Sequence, residues 1–133
     1  MATHRIASGL FPPPTYSHSV VVDAGERLVF TAGGVPLDQD GDLVGANDRV
    51  RQAEQVLANL SEQLRDAGTD LEHVVNTTVY VVAEQPSDLS AVWEVVTASG
   101  LAKGPHSSTL LGVSVLGYTG QLVEVTAVAV IPD

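Results

Sequence analysis

The chain contains no cysteine among its 133 residues, so disulfides and thiolate chemistry are both excluded. That absence does not fix the compartment. Basic residues are scarce as well. Six lysines and arginines face sixteen acidic residues, for a net charge of -10. Binding to a phosphate backbone needs cations that displace counterions, so the charge argues against a nucleic-acid partner. The first fifteen residues, MATHRIASGLFPPPT, hold no long apolar run, so neither a signal peptide nor a membrane span is expected. These features point to a soluble, cytoplasmic protein with no membrane partner. The four histidines show no ligand spacing, and Gly33-Gly34 is not followed by a phosphate-loop lysine. Neither a metal nor a cofactor is implied.

What is present is pattern. Residues 1–133 read as one domain, with 44% apolar residues and no repeat or linker. In the C-terminal run, Val123, Val125, Ala127, Ala129 and Ile131 alternate with Glu124, Thr126, Val128 and Val130. A period of two with one wholly apolar face predicts a strand packed on a core. The preceding run places Ser107, Thr109, Leu111 and Val113 on one face, and His106, Ser108, Leu110 and Gly112 on the other. These two strands are expected to floor a pocket.

Thr3 to Ala7 suggests a short edge strand, followed by the prolines Pro12 to Pro14. Ser19–Val22 and Arg27–Thr31 read as a hairpin turning at Asp23-Ala24-Gly25. The adjacent Gly33 and Gly34 suggest a bulge or a close approach by another group. Asp38 to Asp42 reads as an exposed turn. Asn47 is the expected cap of a first helix carrying Val50, Ala53, Val56, Leu57, Leu60, Leu64 and Ala67, stopped at Gly68. His73 to Val82 is β-branched and reads as a central strand. Ser87 is the expected cap of a second helix, ended by Gly100. The order β-β-β-α-β-α-β-β predicts an α+β fold, a mixed sheet with two helices on one face. Val128 and Val130 are too apolar for water, so the open face calls for a partner, most simply another copy of the chain.

This order, with several local motifs, resembles the RidA/YjgF (L-PSP) family. Tyr16-Ser17-His18 is similar to the family's G-P-Y-S-H, and Phe30-Thr31-Ala32-Gly33-Gly34-Val35-Pro36 to its T-S-G-Q-I-P. The helix Arg51 to Gly68, the run Val75 to Val81, and Val123 to Val130 (like I-E-I-E-A-I-A-V) complete the match. The resemblance implies a chorismate-mutase-like protomer. It also implies a homotrimer with a small-molecule cleft at each subunit interface, and hydrolysis of reactive enamines and imines of amino acids. In that chemistry an arginine clamps the substrate carboxylate and a glutamate positions water.

Two charged positions differ here. The family's P-x-R-S becomes Pro105-His106-Ser107-Ser108, with Ser107 in place of the arginine, and Thr126 stands before Ala127-Val128-Ala129-Val130. A hydroxyl cannot hold a carboxylate as an ion pair, and the lost charge-assisted bond, about 1.5–3 kcal/mol, is about tenfold or more in affinity. The expected catalytic residues are Tyr16, Thr126 and Glu124. The expected substrate-binding residues are Ala32, Gly33, Gly34, Pro86, Ser90, Ser107, Thr109 and Leu111. Each has a plainer alternative. Tyr16 can anchor the proline segment, Thr126 can simply pack, and Glu124 can serve an interface ion pair. His18 can be structural and Trp93 core. Alternation separates His106 from Ser107, against a Ser-His nucleophile pair. The implied reaction is hydrolytic deamination or tautomerisation of a reactive enamine, imine or related carbonyl compound without an amino-acid carboxylate; the alternative is a non-catalytic trimer binding a ligand or partner.

Overall fold

A computed structural model describes residues 2–103 and 106–133; Pro105 of the divergent motif lies outside them. The elements are β1 (Ala2–Arg5), β2 (Ser19–Val22), β3 (Arg27–Phe30), α1 (Arg49–Asp66), β4 (Val74–Val82), α2 (Pro86–Thr97), β5 (Ser107–Val113) and β6 (Val123–Ile131). Among the described residues they follow the expected order. Four strands form a mixed sheet in the order β3-β6-β4-β5, and β1 pairs with β2 in a separate antiparallel ribbon. β4 and β5 run parallel, which requires a crossover, and α2 supplies it.

Both helices cover one sheet face. Val75, Thr77, Val79 and Val81 of β4 and Val123, Val125, Ala127 and Ala129 of β6 are buried there, as strand alternation dictates. Across from them α1 buries Ala53, Val56, Leu57, Leu60 and Leu64, and α2 buries Val92 and Val96. Truncating Leu60 or Leu64, both fully buried, to alanine would cost about 2–5 kcal/mol. Gly68 ends α1 at φ +94°, donating to the Arg65 carbonyl while Thr69 donates to the Leu64 carbonyl. Those two bonds satisfy carbonyls that the helix end leaves open. Among the described residues, no helix is long and apolar enough to cross a membrane.

Several local expectations are corrected. The turn after β2 forms, with Gly25 at φ +85° and Glu26 donating to the Asp23 carbonyl at 3.4 Å. The strands it joins do not pair with each other, however. β2 pairs with β1, while β3 pairs with β6, matching Leu28 to Val130 and Phe30 to Val128. These long-range apolar pairs outweigh the hairpin that the local turn signal suggests. β5 and β6, the two strands expected to floor a pocket, are separated by β4. Asp48, not Asn47, caps α1, its carboxylate accepting from Arg51 N–H at 3.0 Å. Asn47 instead takes the left-handed conformation at φ 60°, which asparagine tolerates better than most residues. The second helix starts at Pro86 with Gln85 as its cap, so Ser87 sits inside the first turn. Proline's fixed φ suits that first position. α2 stops at Ala98, ahead of Gly100.

Candidate functional site

The sheet face without helices collects the polar strand positions into three cross-strand rows. Register places Phe30, Val128, Asn76 and Ser107 in one row, and Thr126, Thr78 and Thr109 in the next. Glu124, Tyr80 and Leu111 form the third. Directly opposed side chains stand about 4.5–5.5 Å apart at Cβ, so each row is a contiguous strip. Six of the expected residues therefore share this side of the sheet: Ser107, Thr109, Leu111, Glu124 and Thr126 on its strands, with Gly33 against Glu124.

Glu124 is the carboxylate of that face, and it is fixed from behind. Gln121, buried in the loop just ahead of β6, donates from Nε2 to Glu124 Oε1 at 3.0 Å and to the Val123 carbonyl at 3.1 Å. Gln121 Oε1 accepts from Tyr118 N–H at 3.1 Å, so the amide is held at both ends. Gly33 lies directly over the carboxylate, where any Cβ would collide with it. The adjacent glycines thus include the expected close approach. Ser107 is less available than its position suggests. Its hydroxyl donates to the Val75 carbonyl at 3.0 Å and accepts from Asn76 Nδ2 at 3.0 Å.

The remaining expected residues lie elsewhere. Tyr16 stands beyond the free edge of β5, in a cleft of about 370 Å³ lined by Pro14, Thr15, Trp93, Ser108, Thr109 and Leu110. Trp93 both packs against the core and walls this cleft, its indole N–H donating to Thr15 Oγ1 at 2.9 Å. Two strand spacings, about 9.6 Å, separate β5 from the strand that carries Glu124, so one protomer does not bring Tyr16 to Glu124. Gly34 is buried, bridged to Val125, with the α1 backbone at Val56 only 3.1 Å from where a Cβ would stand. It packs a helix against the sheet and does not line the open face. Ala32 is exposed, and its carbonyl accepts from Gln63. Pro86 and Ser90 sit at the α2 N-terminus, beside a different groove that also involves Leu89 and Gly112.

His18 serves as a clamp. Nδ1 accepts from Ala7 N–H at 2.8 Å and Nε2 meets the Phe11 carbonyl at 3.2 Å, so both ring nitrogens hold the N-terminal segment. His106 and Ser107 face opposite ways. The imidazole of His106 is 2% exposed and contacts Thr77 Oγ1 at 2.9 Å through Nε2. Burial lowers its pKa below the ordinary histidine value.

Asn76, Thr78, Tyr80 and Gln121 were not among the expected site residues. The first three were accessible by the same alternation applied to β4, where they are the polar members of one face. Gln121 had no such signal, because its role depends on the loop fold around Tyr118.

A family model described as Endoribonuclease L-PSP matches residues 10–131. The chain is 36% identical to Protein DfrA of Myxococcus xanthus over 115 residues, which cover 86% of this chain and 84% of that protein. It is 41% identical to the mouse 2-iminobutanoate/2-iminopropanoate deaminase over 64 residues, 48% of this chain and 45% of the enzyme. Among solved structures, YyfB of Yersinia pestis, a Rid-family protein of unknown function, superposes with a TM-score of 0.88 at 33% identity. That match covers 97% of this chain and 98% of YyfB. The α+β fold, the residues matched and these relatives agree, and the chain belongs to the RidA/YjgF family, the Endoribonuclease L-PSP family of the matching model.

Proposed function

We propose that this protein is a RidA-like enzyme that hydrolyses a reactive imine or enamine, or a related carbonyl compound, lacking an amino-acid carboxylate. The observation that carries this reading is the open sheet face. It presents one positioned carboxylate, Glu124, across a field of hydroxyls from Ser107, Thr78, Thr109, Thr126 and Tyr80. A carboxylate held by Gln121 on the same sheet face as those hydroxyls suits the positioning of water for attack on a C=N carbon. Ser107, where the family motif has arginine, offers a carboxylate substrate no ion pair. The deaminase activity named for the mouse relative supports the reaction class. Ribonuclease action, the family model's description, is disfavoured by a net charge of -10.

The complete site forms between copies of the chain. Tyr16 and Glu124 stand too far apart in one protomer, and Leu28 and Phe30, 42% and 73% exposed, leave an apolar margin on the same sheet face. A homotrimer with three interfacial pockets would cover that margin and join the β5 edge of one copy to the sheet face of the next. A second reading, a trimer that binds a ligand without turnover, is favoured by the Ser107 hydroxyl, which is already engaged by Asn76 and Val75.

The test compares benzophenone imine, which is neutral and apolar, with 2-iminopropanoate, monitoring ketone and ammonia release. Turnover of the neutral imine, reduced about 10²-fold or more in Glu124→Gln, is expected. Turnover of neither compound, with ligand binding retained, supports the binding protein. A monomer in light scattering overturns the interfacial site.

A further inference from the structure

The helix side of β5 holds a buried chain of three polar groups that the open-face site does not use. His106 Nε2 lies 2.9 Å from Thr77 Oγ1, and Thr77 Oγ1 lies 2.7 Å from Ser108 Oγ. The inner members are sealed from solvent: Thr77 is 0% exposed and His106 2%. Ser108, half-buried, opens into the cleft that Tyr16, Trp93 and Thr109 line. Next to it, the His106 carbonyl accepts from Ser17 N–H at 3.0 Å, which ties the Tyr16 segment to the same strand end.

A hydroxyl both donates and accepts, so this chain carries hydrogen bonds in either direction. With the proton on Nδ1, Nε2 accepts from Thr77, Thr77 accepts from Ser108, and Ser108 presents a lone pair to the cleft. With the proton on Nε2, every bond reverses and Ser108 presents a donor. Which nitrogen carries the proton is normally fixed by a partner on the other one. Among the described residues His106 Nδ1 makes no full hydrogen bond, but the Leu101 backbone lies close enough to favour a protonated ring, so the tautomer is biased and not locked from that side. Burial disfavours the imidazolium most, the Leu101 backbone favours it, and the nearby titratable group, His4 of β1, disfavours it again.

We propose that His106, Thr77 and Ser108 form a proton relay that ends in the Tyr16–Trp93 cleft. The proposal deepens the enzyme reading and rests on it for the direction of proton flow. Water adding to a C=N bond gives a carbinolamine. Its collapse breaks the C–N bond, forms the carbonyl, and needs a proton taken from oxygen and one delivered to nitrogen. The hydroxyl proton passes to Ser108 as the Ser108 proton passes to Thr77 and the Thr77 proton to His106 Nε2. The reverse sequence returns it to the departing nitrogen. His106 and Thr77 are positioning and proton-holding residues; Ser108 is the member that meets the ligand.

The relay is testable without turnover. Imidazole ¹⁵N spectra of the full-length protein report the tautomer and titration of His106 across pH. Ser108→Ala alters the ring's neighbour and not a group bonded to the ring itself. It is expected to shift the His106 tautomer balance, to add nothing in a Thr77→Val background, and Thr77→Ser is expected to restore wild-type behaviour. An unchanged His106 signal in Ser108→Ala, or the same shift persisting with Thr77→Val, overturns the relay.

Kinetics on benzophenone imine then test its use. Thr77→Val and His106→Gln are each expected to lower kcat by about 10²-fold with KM little changed. Their double variant should be no worse than the poorer single one, because they act as a unit. Additive losses, or losses confined to KM, overturn the catalytic role. If the wild-type protein turns over no imine, the enzyme reading fails while the spectra still decide the relay.

Discussion

Replacing Gln52 with leucine tests how the loop behind Glu124 is held. Gln52 is fully buried in α1, and each end of its amide is used. Nε2 donates to the carbonyls of Gly45 and Gly120, both at 3.0 Å, and Oε1 accepts from Leu122 N–H at 2.7 Å. One side chain thus ties the approach to α1 to both ends of the turn that contains Gln121. Leucine has nearly the same volume, so no large cavity opens, and the effect isolates the polar contacts. Three hydrogen bonds at about 1 kcal/mol each give a loss near 3 kcal/mol. Burial of the added apolar group works against that loss, and the three unpaired backbone groups add to it. For a domain of this size that is roughly a 10 °C drop in Tm. Urea unfolding at fixed protein concentration, with equal m-values, is the assay. A loss below about 1 kcal/mol would refute the view that this amide organises the loop.

Gly33→Ala is allowed by the backbone, since Gly33 is not in the left-handed region, but its methyl meets the Glu124 carboxylate. Because the overlap reaches Glu124 Cγ, the side chain must swing off its Gln121 contact, so stability should fall by about 1 kcal/mol while turnover falls toward that of Glu124→Gln. Unfolding curves and imine kinetics on the same preparation check both halves. His106 gives a pH signature. Its folded pKa lies below the unfolded value, so as pH falls through about 6.5 the unfolded chain takes the proton first. The stability associated with neutral His106 is therefore complete above that pH and declines below it, and His106→Gln should flatten urea midpoints measured between pH 7 and 5.

Much of the fold was legible because burial imposes simple periods. The alternation in Val123 to Ala129 and the spacing of Ala53, Val56, Leu57, Leu60 and Leu64 correspond to the buried faces of β6 and α1, whereas Ile131 is only half-buried and Val50, expected on the helix face, is exposed. Cap positions were legible only to within a residue or two. Asn47 and Asp48 are both competent caps, and Pro86 moves the start of α2 ahead of Ser87. Strand partners were the harder part. The Asp23–Gly25 turn signal is local, whereas the partner of β3 is chosen by Val128 and Val130 a hundred residues away.

The candidate site shows the same division. Alternation puts Ser107 with Thr109, and Glu124 with Thr126, without any structure. Nothing local says that β4 separates those two pairs, or that Tyr16 lies past the far edge of β5. Gln52 and Gln121 were invisible for a related reason. Each is polar in an apolar setting, and its partners are backbone groups of a loop whose path the sequence pattern does not describe.

The most direct measurement of the central claim is the ratio of kcat/KM for benzophenone imine to that for 2-iminopropanoate, in the wild-type protein and in Ser107→Arg. A preference for the neutral imine in the wild type is expected, shifting toward the carboxylate compound by about tenfold or more when a cation replaces the hydroxyl beside Asn76. Efficient wild-type turnover of 2-iminopropanoate, with a ratio that Ser107→Arg leaves unmoved, would contradict it.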